Sequence, residues 1–134
     1  MSIPINFAFE RSANVELFDY YASLSIATTA TGIIVSFRVP TQVKRGFLTV
    51  YGHGIDDPSA FVLSVFRIKV NGIADKFYQN IQDQLAPFGE PREIAPILIR
   101  PGDLIELEAT NNNALTKLYA ARVRGFYDFA WNEK

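Results

Sequence analysis

From Ile33 to Phe129, apolar and polar side chains alternate with a period of two between turn signals, the mark of strands that bury one face. In GIIVSFRVP, Ile33, Val35, Phe37 and Val39 share one face and Ile34, Ser36 and Arg38 the other, until Pro40 ends the run. In GFLTVYGHG, Leu48 and Val50 oppose Phe47, Thr49 and Tyr51, and Gly52 and Gly54 are expected to interrupt or bulge the ladder. FVLSVFRIKVNG sets Phe66, Ile68 and Val70 against Arg67 and Lys69 and closes on Asn71-Gly72, a pair suited to a type I′ hairpin turn.

The stretch Ile73 to Pro91 fits either a helical stripe (Phe77, Ile81, Leu85) or a short strand and loop, of which strand and loop is the preferred reading. Two further runs, Ile94 to Arg100 and Leu104 to Thr110, are joined through Pro101-Gly102, which fit the central positions of a type II turn. The closing run puts Ala121, Val123, Gly125 and Tyr127 on one side and Arg122 and Arg124 on the other. About seven strands without a helix among them predict an all-β domain over residues 33–134, an antiparallel two-sheet β-sandwich with jelly roll as the first choice.

Residues 1–32 lack a clean period and are rich in Tyr, Ser, Ala and Thr, so they are expected to form an N-terminal arm. A helix over Ala13 to Ser25 with Ser12 as N-cap is the competing possibility there.

Composition narrows the function. A chain of 134 residues is one ordinary domain, and 49% hydrophobic and 13% aromatic residues suffice for its core. There are no cysteines, which removes disulfides, thiolate metal sites and thiol nucleophiles. The net charge of −1, from 13 basic and 14 acidic residues, provides no field for phosphate backbones or anionic lipid, so neither nucleic acid nor membrane is expected as a partner. No apolar run approaches the ~20 residues of a membrane span, and the first residues carry no basic leader or signal-length apolar stretch.

Candidate chemistry is sparse. His53 is the single histidine, with Asp56 and Asp57 close behind it, too few ligands for a cupin-type metal site; a loop histidine between two strands is expected. Glu106 and Glu108 lie side by side on one strand face. They are expected to sit opposite Arg122 and Arg124 or Arg67 and Lys69, in cross-strand pairs of ~0.2–1 kcal/mol each, rather than to flank a cleft as an acid and base. No nucleophile elbow, phosphate-binding glycine loop or cofactor motif is present, so no enzyme activity and no cofactor are expected. Phe126, Tyr127, Phe129 and Trp131 suit either a sugar-stacking platform or protein packing.

The succession VPTQVKRGFLTVYGHG, FRIKVNG, FGEP, IAPILIRPGDLIELEATN and YAARVRGFYDF is similar to small jelly-roll virion proteins of tailed bacteriophages, the head decoration or cement type. The resemblance covers residues 33–129 and rests on turn and strand signals. It implies a non-enzymatic protein on the phage head surface that forms homo-oligomers, often trimers, and binds the major capsid protein through arms and strand faces. Candidate interface residues are then Phe7, Phe9, Phe18, Tyr20 and Tyr21 in the arm, with Glu106, Glu108, Arg122, Arg124, Phe129 and Trp131 in the domain. Deleting residues 1–30 would be expected to leave a folded core that binds capsids weakly. The rival reading is a carbohydrate- or receptor-binding module of a tail or baseplate, whose glycan binding would depend on Tyr127 and Trp131. An enzyme would require a cleft gathering His53 with Asp56.

Overall fold

The structure is a computed structural model, described here over residues 15–79, 81 and 91–129. Eight strands follow one another: β1 (Val15–Ile26), β2 (Thr31–Arg38), β3 (Arg45–Ile55), β4 (Ser64–Val70), β5 (Ile73–Ala74), β6 (Arg92–Ile99), β7 (Leu104–Asn111) and β8 (Lys117–Asp128), with a 3-10 turn at Pro58–Leu63 between β3 and β4. No α-helix occurs among the described residues. The pairing is nested: β1 with β8, β2 with β7, β3 with β6 and β4 with β5, all antiparallel. Two further pairings, β3 with β8 and β4 with β7, complete sheets of order β1-β8-β3-β6 and β2-β7-β4-β5. This is the strand order of a jelly roll, in which a long folded-back ribbon wraps into two packed sheets.

The hairpin turns follow from backbone chemistry. Asn71 and Gly72 both take positive φ (54° and 83°), as a type I′ turn requires, and Gly102 at φ 83° follows Pro101 in the β6–β7 turn. Inside, Leu48, Tyr51, Phe66, Ile68, Ile99, Ile105, Leu107, Tyr119 and Val123 interdigitate between the sheets and are fully buried.

Two bulges depart from strict alternation. In β2 the register shifts between Ile33 and Val35, so Ile34 and Val35 are both buried while Ile33 turns outward. In β3 the shift lies at Thr49, which lets Leu48 and Tyr51 both face inward, and the ladder runs on without interruption through Gly52 and Gly54. The bulge brings the Phe47 carbonyl against Gly125 on β8, where any side chain would collide.

The arm expected over residues 1–32 is corrected from Val15 onward. Residues 1–14, with Phe7 and Phe9, lie outside the described residues; residues 15–26 form neither a lead nor a helix but strand β1, paired with β8 along its whole length. The tie is aromatic: Phe18 packs at 4.6 Å from Tyr127 and 5.5 Å from Phe37, and Tyr20 stacks on Phe37 at 4.1 Å. A domain boundary at 32/33 would cut β2, so residues 15–32 belong to the sandwich.

Candidate functional site

The two outer faces of the sandwich differ in chemistry. On the β2-β7-β4-β5 sheet, the central row is charged. Glu108, only 9% exposed, accepts hydrogen bonds from Arg67 Nη1 at 3.0 Å and Lys69 Nζ at 3.1 Å. Arg67 also donates to Thr110 Oγ1 at 2.9 Å. Of the two cationic pairs expected opposite the carboxylates, β4 supplies the real one. Arg122 and Arg124 lie on the other sheet, which corrects that alternative. Glu106 pairs in register with Lys69 and Ser36 on the same face.

The outer face of the β1-β8-β3-β6 sheet carries an apolar band. Register places Leu17 beside Phe126, Phe126 beside Phe47, and Phe47 beside Leu98, one residue from each strand in a single row across the sheet. The Phe47 and Phe126 ring centroids are 5.4 Å apart. Leu17 is 80% exposed and Leu98 also stands in solvent. Strand alternation alone puts these residues outside; the inner positions of the same strands are already filled by Phe18, Leu48, Ile97, Ile99 and Tyr127.

Ion pairs bound the band on both sides. Asp19 receives Arg122 through two hydrogen bonds, Nε to Oδ1 at 3.0 Å and Nη2 to Oδ2 at 2.7 Å, and Arg124 Nε at 3.3 Å. The hydrogen bonds from Arg122 hold the Asp19 carboxyl below its usual range despite partial desolvation. On the other side Arg45 pairs with Asp128 at 3.4 Å. A cleft of about 420 Å³ opens between Leu17, Asp19, Val50, Arg124 and Phe126. An apolar centre with a charged rim is the anatomy of a protein interface.

The buried polar groups have structural roles. His53 is not the loop residue expected: it lies inside β3 with no exposure, its ring stacked on Phe66 at 3.9 Å and its Nδ1 2.9 Å from the Tyr51 hydroxyl. Ser64 Oγ donates to the Ala60 carbonyl at 2.7 Å and lies 2.7 Å from the Tyr119 hydroxyl. Asn111 Nδ2 ties the Ile26 and Leu115 carbonyls at 2.8 and 2.9 Å, sealing one end of the sandwich. Asp57 accepts hydrogen bonds from Lys117 Nζ and from the backbone amide and hydroxyl of Ser59. Among the described residues no group of three or more His, Asp or Glu side chains could hold a metal ion.

Of the candidate interface residues, Tyr21, Arg122 and Arg124 do share the outer face beside the band, with the Arg122 guanidinium 5.2 Å from the Tyr21 ring centroid. Phe18 and Tyr20 point inward, and Phe129 is half-buried against Tyr127 at 6.5 Å. Trp131 lies outside the described residues. Tyr127 is buried while Phe126 faces out, so these two rings form no common platform for a sugar. Sequence reasoning missed Leu17, Phe47 and Leu98; the signal was an apolar residue at the polar parity of each strand, legible only once cross-strand register is known.

No family model matches the chain, and no curated protein matches it. Among solved structures, the chain is similar to dimeric latent PorU from Porphyromonas gingivalis, with a TM-score of 0.45 and 13% identity over 86% of this chain; it spans 13% of the length of that protein.

Proposed function

We propose that this chain is a non-enzymatic virion protein of a tailed bacteriophage, a decoration or cement subunit that sits on the head surface, binds the major capsid protein and associates with copies of itself. The observation that carries the reading is the apolar row Leu17–Phe126–Phe47–Leu98 on one outer sheet face, rimmed by ion pairs, on a jelly roll whose other outer face is charged. The resemblance of residues 33–129 to jelly-roll virion proteins supplies the partner class, and trimers are the assembly it implies.

The mechanism is mechanical. A filled capsid is strained where its subunits meet. A clamp that buries roughly 800 Å² per partner adds its own dissociation free energy to the cost of opening that seam, and many copies act together on one shell.

The test is co-sedimentation with purified heads that lack the protein. The double variant Phe47→Glu/Phe126→Glu places charge in the middle of the band while leaving the inner face intact. It should keep the parent circular dichroism spectrum and lose attachment by at least about thirty-fold, the effect of removing a central hot spot of roughly 2 kcal/mol. Attachment equal to the parent's would refute the reading.

A further inference from the structure

The free edges of the two sheets are unequal. β5 has two residues, β2 is kinked by its bulge, and β6 carries Pro96 and offers the Ala95 amide to the Tyr78 hydroxyl at 3.0 Å. Short strands, bulges and prolines are the devices that stop a sheet edge from recruiting another strand. β1 has none of them. It is twelve residues long, contains no proline or lysine, keeps an unbroken register with β8 from Val15 to Ile26, and pairs with no other strand among the described residues. Its outward side chains include two large, well-exposed apolar groups, Leu17 at 80% and Tyr21 at 62%.

We propose that the β1 edge is the self-association surface, pairing antiparallel with β1 of a second copy across a two-fold axis to join two four-stranded sheets into one of eight strands. A two-fold axis normal to the sheet keeps outer face with outer face, so each residue must oppose one of the same parity. Centring the axis on Tyr21 aligns Glu16 through Ile26 and sets the two Tyr21 rings opposite each other. It places Asp19 opposite Ser23, Phe18 opposite Leu24 and Tyr20 opposite Ala22. Centring on Asp19 instead would oppose two carboxylates. With the axis on Tyr21, each Asp19 keeps its own Arg122 and Arg124, and Glu16, at the end of the aligned stretch, lies opposite Ile26. This pairing holds whether or not the chain belongs to a virion, and its two-fold symmetry differs from the trimer that the resemblance implies.

The chain has no cysteine, so single cysteines report on the pairing directly. Opposed residues of antiparallel strands have Cα atoms about 4.5–5.5 Å apart, within disulfide reach, whereas residues two positions off the axis oppose a different residue. Tyr21→Cys should crosslink to a dimer under mild oxidation, while Asp19→Cys and Ser23→Cys alone should not, and the two together in one chain should. Multi-angle light scattering of the unmodified protein should give twice the chain mass, and Leu17→Lys/Tyr21→Lys, both at exposed positions, should give the monomer mass with the fold retained. A monomer or trimer for the unmodified protein, or a dimer that Tyr21→Cys fails to crosslink, overturns the proposal. Capsid attachment of the Phe47→Glu/Phe126→Glu variant equal to the parent's, with the dimer intact, would refute the capsid reading and leave the pairing standing, so the two readings fail separately.

Discussion

Gly125 on β8 lies directly against the carbonyl oxygen of Phe47 on β3, and a Cβ at that position would also come within 2.6 Å of Phe18 Cζ. The bulge at Thr49 pushes the β3 backbone toward β8 there, so the glycine is required by a close backbone approach rather than by its own dihedral angles. Gly125→Ala should therefore destabilise the fold by about 3 kcal/mol or more, the upper range for forcing atoms into a filled site. Urea unfolding checks this, with Gly72→Ala as the comparison: Gly72 has open space around it, and its cost of about 1 kcal/mol comes from positive φ alone.

Glu108 and Glu106 are two residues apart on the same strand face, yet their environments predict different costs. Glu108 is nearly enclosed and holds both Arg67 and Lys69, whose side chains are about a quarter exposed at 26% and 23%. Glu108→Gln should cost about 1.5–3 kcal/mol, because two part-buried cations lose a charged acceptor. Glu106→Gln should stay within about 0.5 kcal/mol, as for an ordinary surface position. Equal effects in denaturant titrations would contradict the assignment of the ion-pair centre to Glu108.

A double-mutant cycle tests the structural role of His53. Burial raises the Tyr51 hydroxyl far above its ordinary pKa, so it stays neutral and shares one hydrogen bond with His53 Nδ1. His53→Phe keeps the stack on Phe66 but leaves that hydroxyl wanting, at about 1–3 kcal/mol; adding Tyr51→Phe should recover much of the loss, since removing both partners of a buried hydrogen bond is close to neutral.

The legible and illegible parts of this fold divide along one line: local signals were readable and cross-strand ones were not. Asn71-Gly72 and Pro101-Gly102 mark their turns by backbone preference, and β4 and β8 alternate cleanly, since Arg67, Lys69, Arg122 and Arg124 all face out. β1 was hidden because its outward positions hold Leu17 and Tyr21, which blur the period of two and make the strand resemble an unstructured lead. The bulges at Ile34 and Thr49 depend on the partner strand, and His53, flanked by Gly52 and Gly54, has the local look of a loop although tertiary packing encloses it. The apolar band was invisible for the same reason: its four members are far apart in sequence and meet only through register.

Acid should weaken the fold partly through Asp57. Its hydrogen bonds from Lys117 and Ser59 lower its carboxyl from 3.8 to about 2 in the folded protein. A depressed folded pKa means that the unfolded chain binds the proton more readily, so this contribution is whole above about pH 4 and is lost as pH falls through about 2. Asp19, lowered by Arg122, works in the same direction. Asp57→Asn should flatten the stability–pH curve across that window while leaving the profile above it parallel to the parent's, measured by denaturant unfolding at a series of pH values.

Two truncations separate the segment before β1 from β1 itself. Removing residues 2–12 leaves every described strand in place, which makes that variant the control for the longer deletion. Removing residues 1–30 takes away all of β1, and with it Phe18 and Tyr20 from the space over Phe37 and Tyr127 and the buried Ile26 from the other end of the sheet beside Gly32. Large apolar side chains contribute about 1.5–3 kcal/mol each when fully buried, and β8 would lose its hydrogen-bonded neighbour on one side as well. Against a total stability of about 5–15 kcal/mol for a domain of ordinary size, that loss is decisive. The longer deletion should show no cooperative thermal transition by circular dichroism, and its apolar surface should bind a fluorescent dye such as ANS. A sharp transition near the parent temperature in that variant would return residues 15–30 to the status of a dispensable arm.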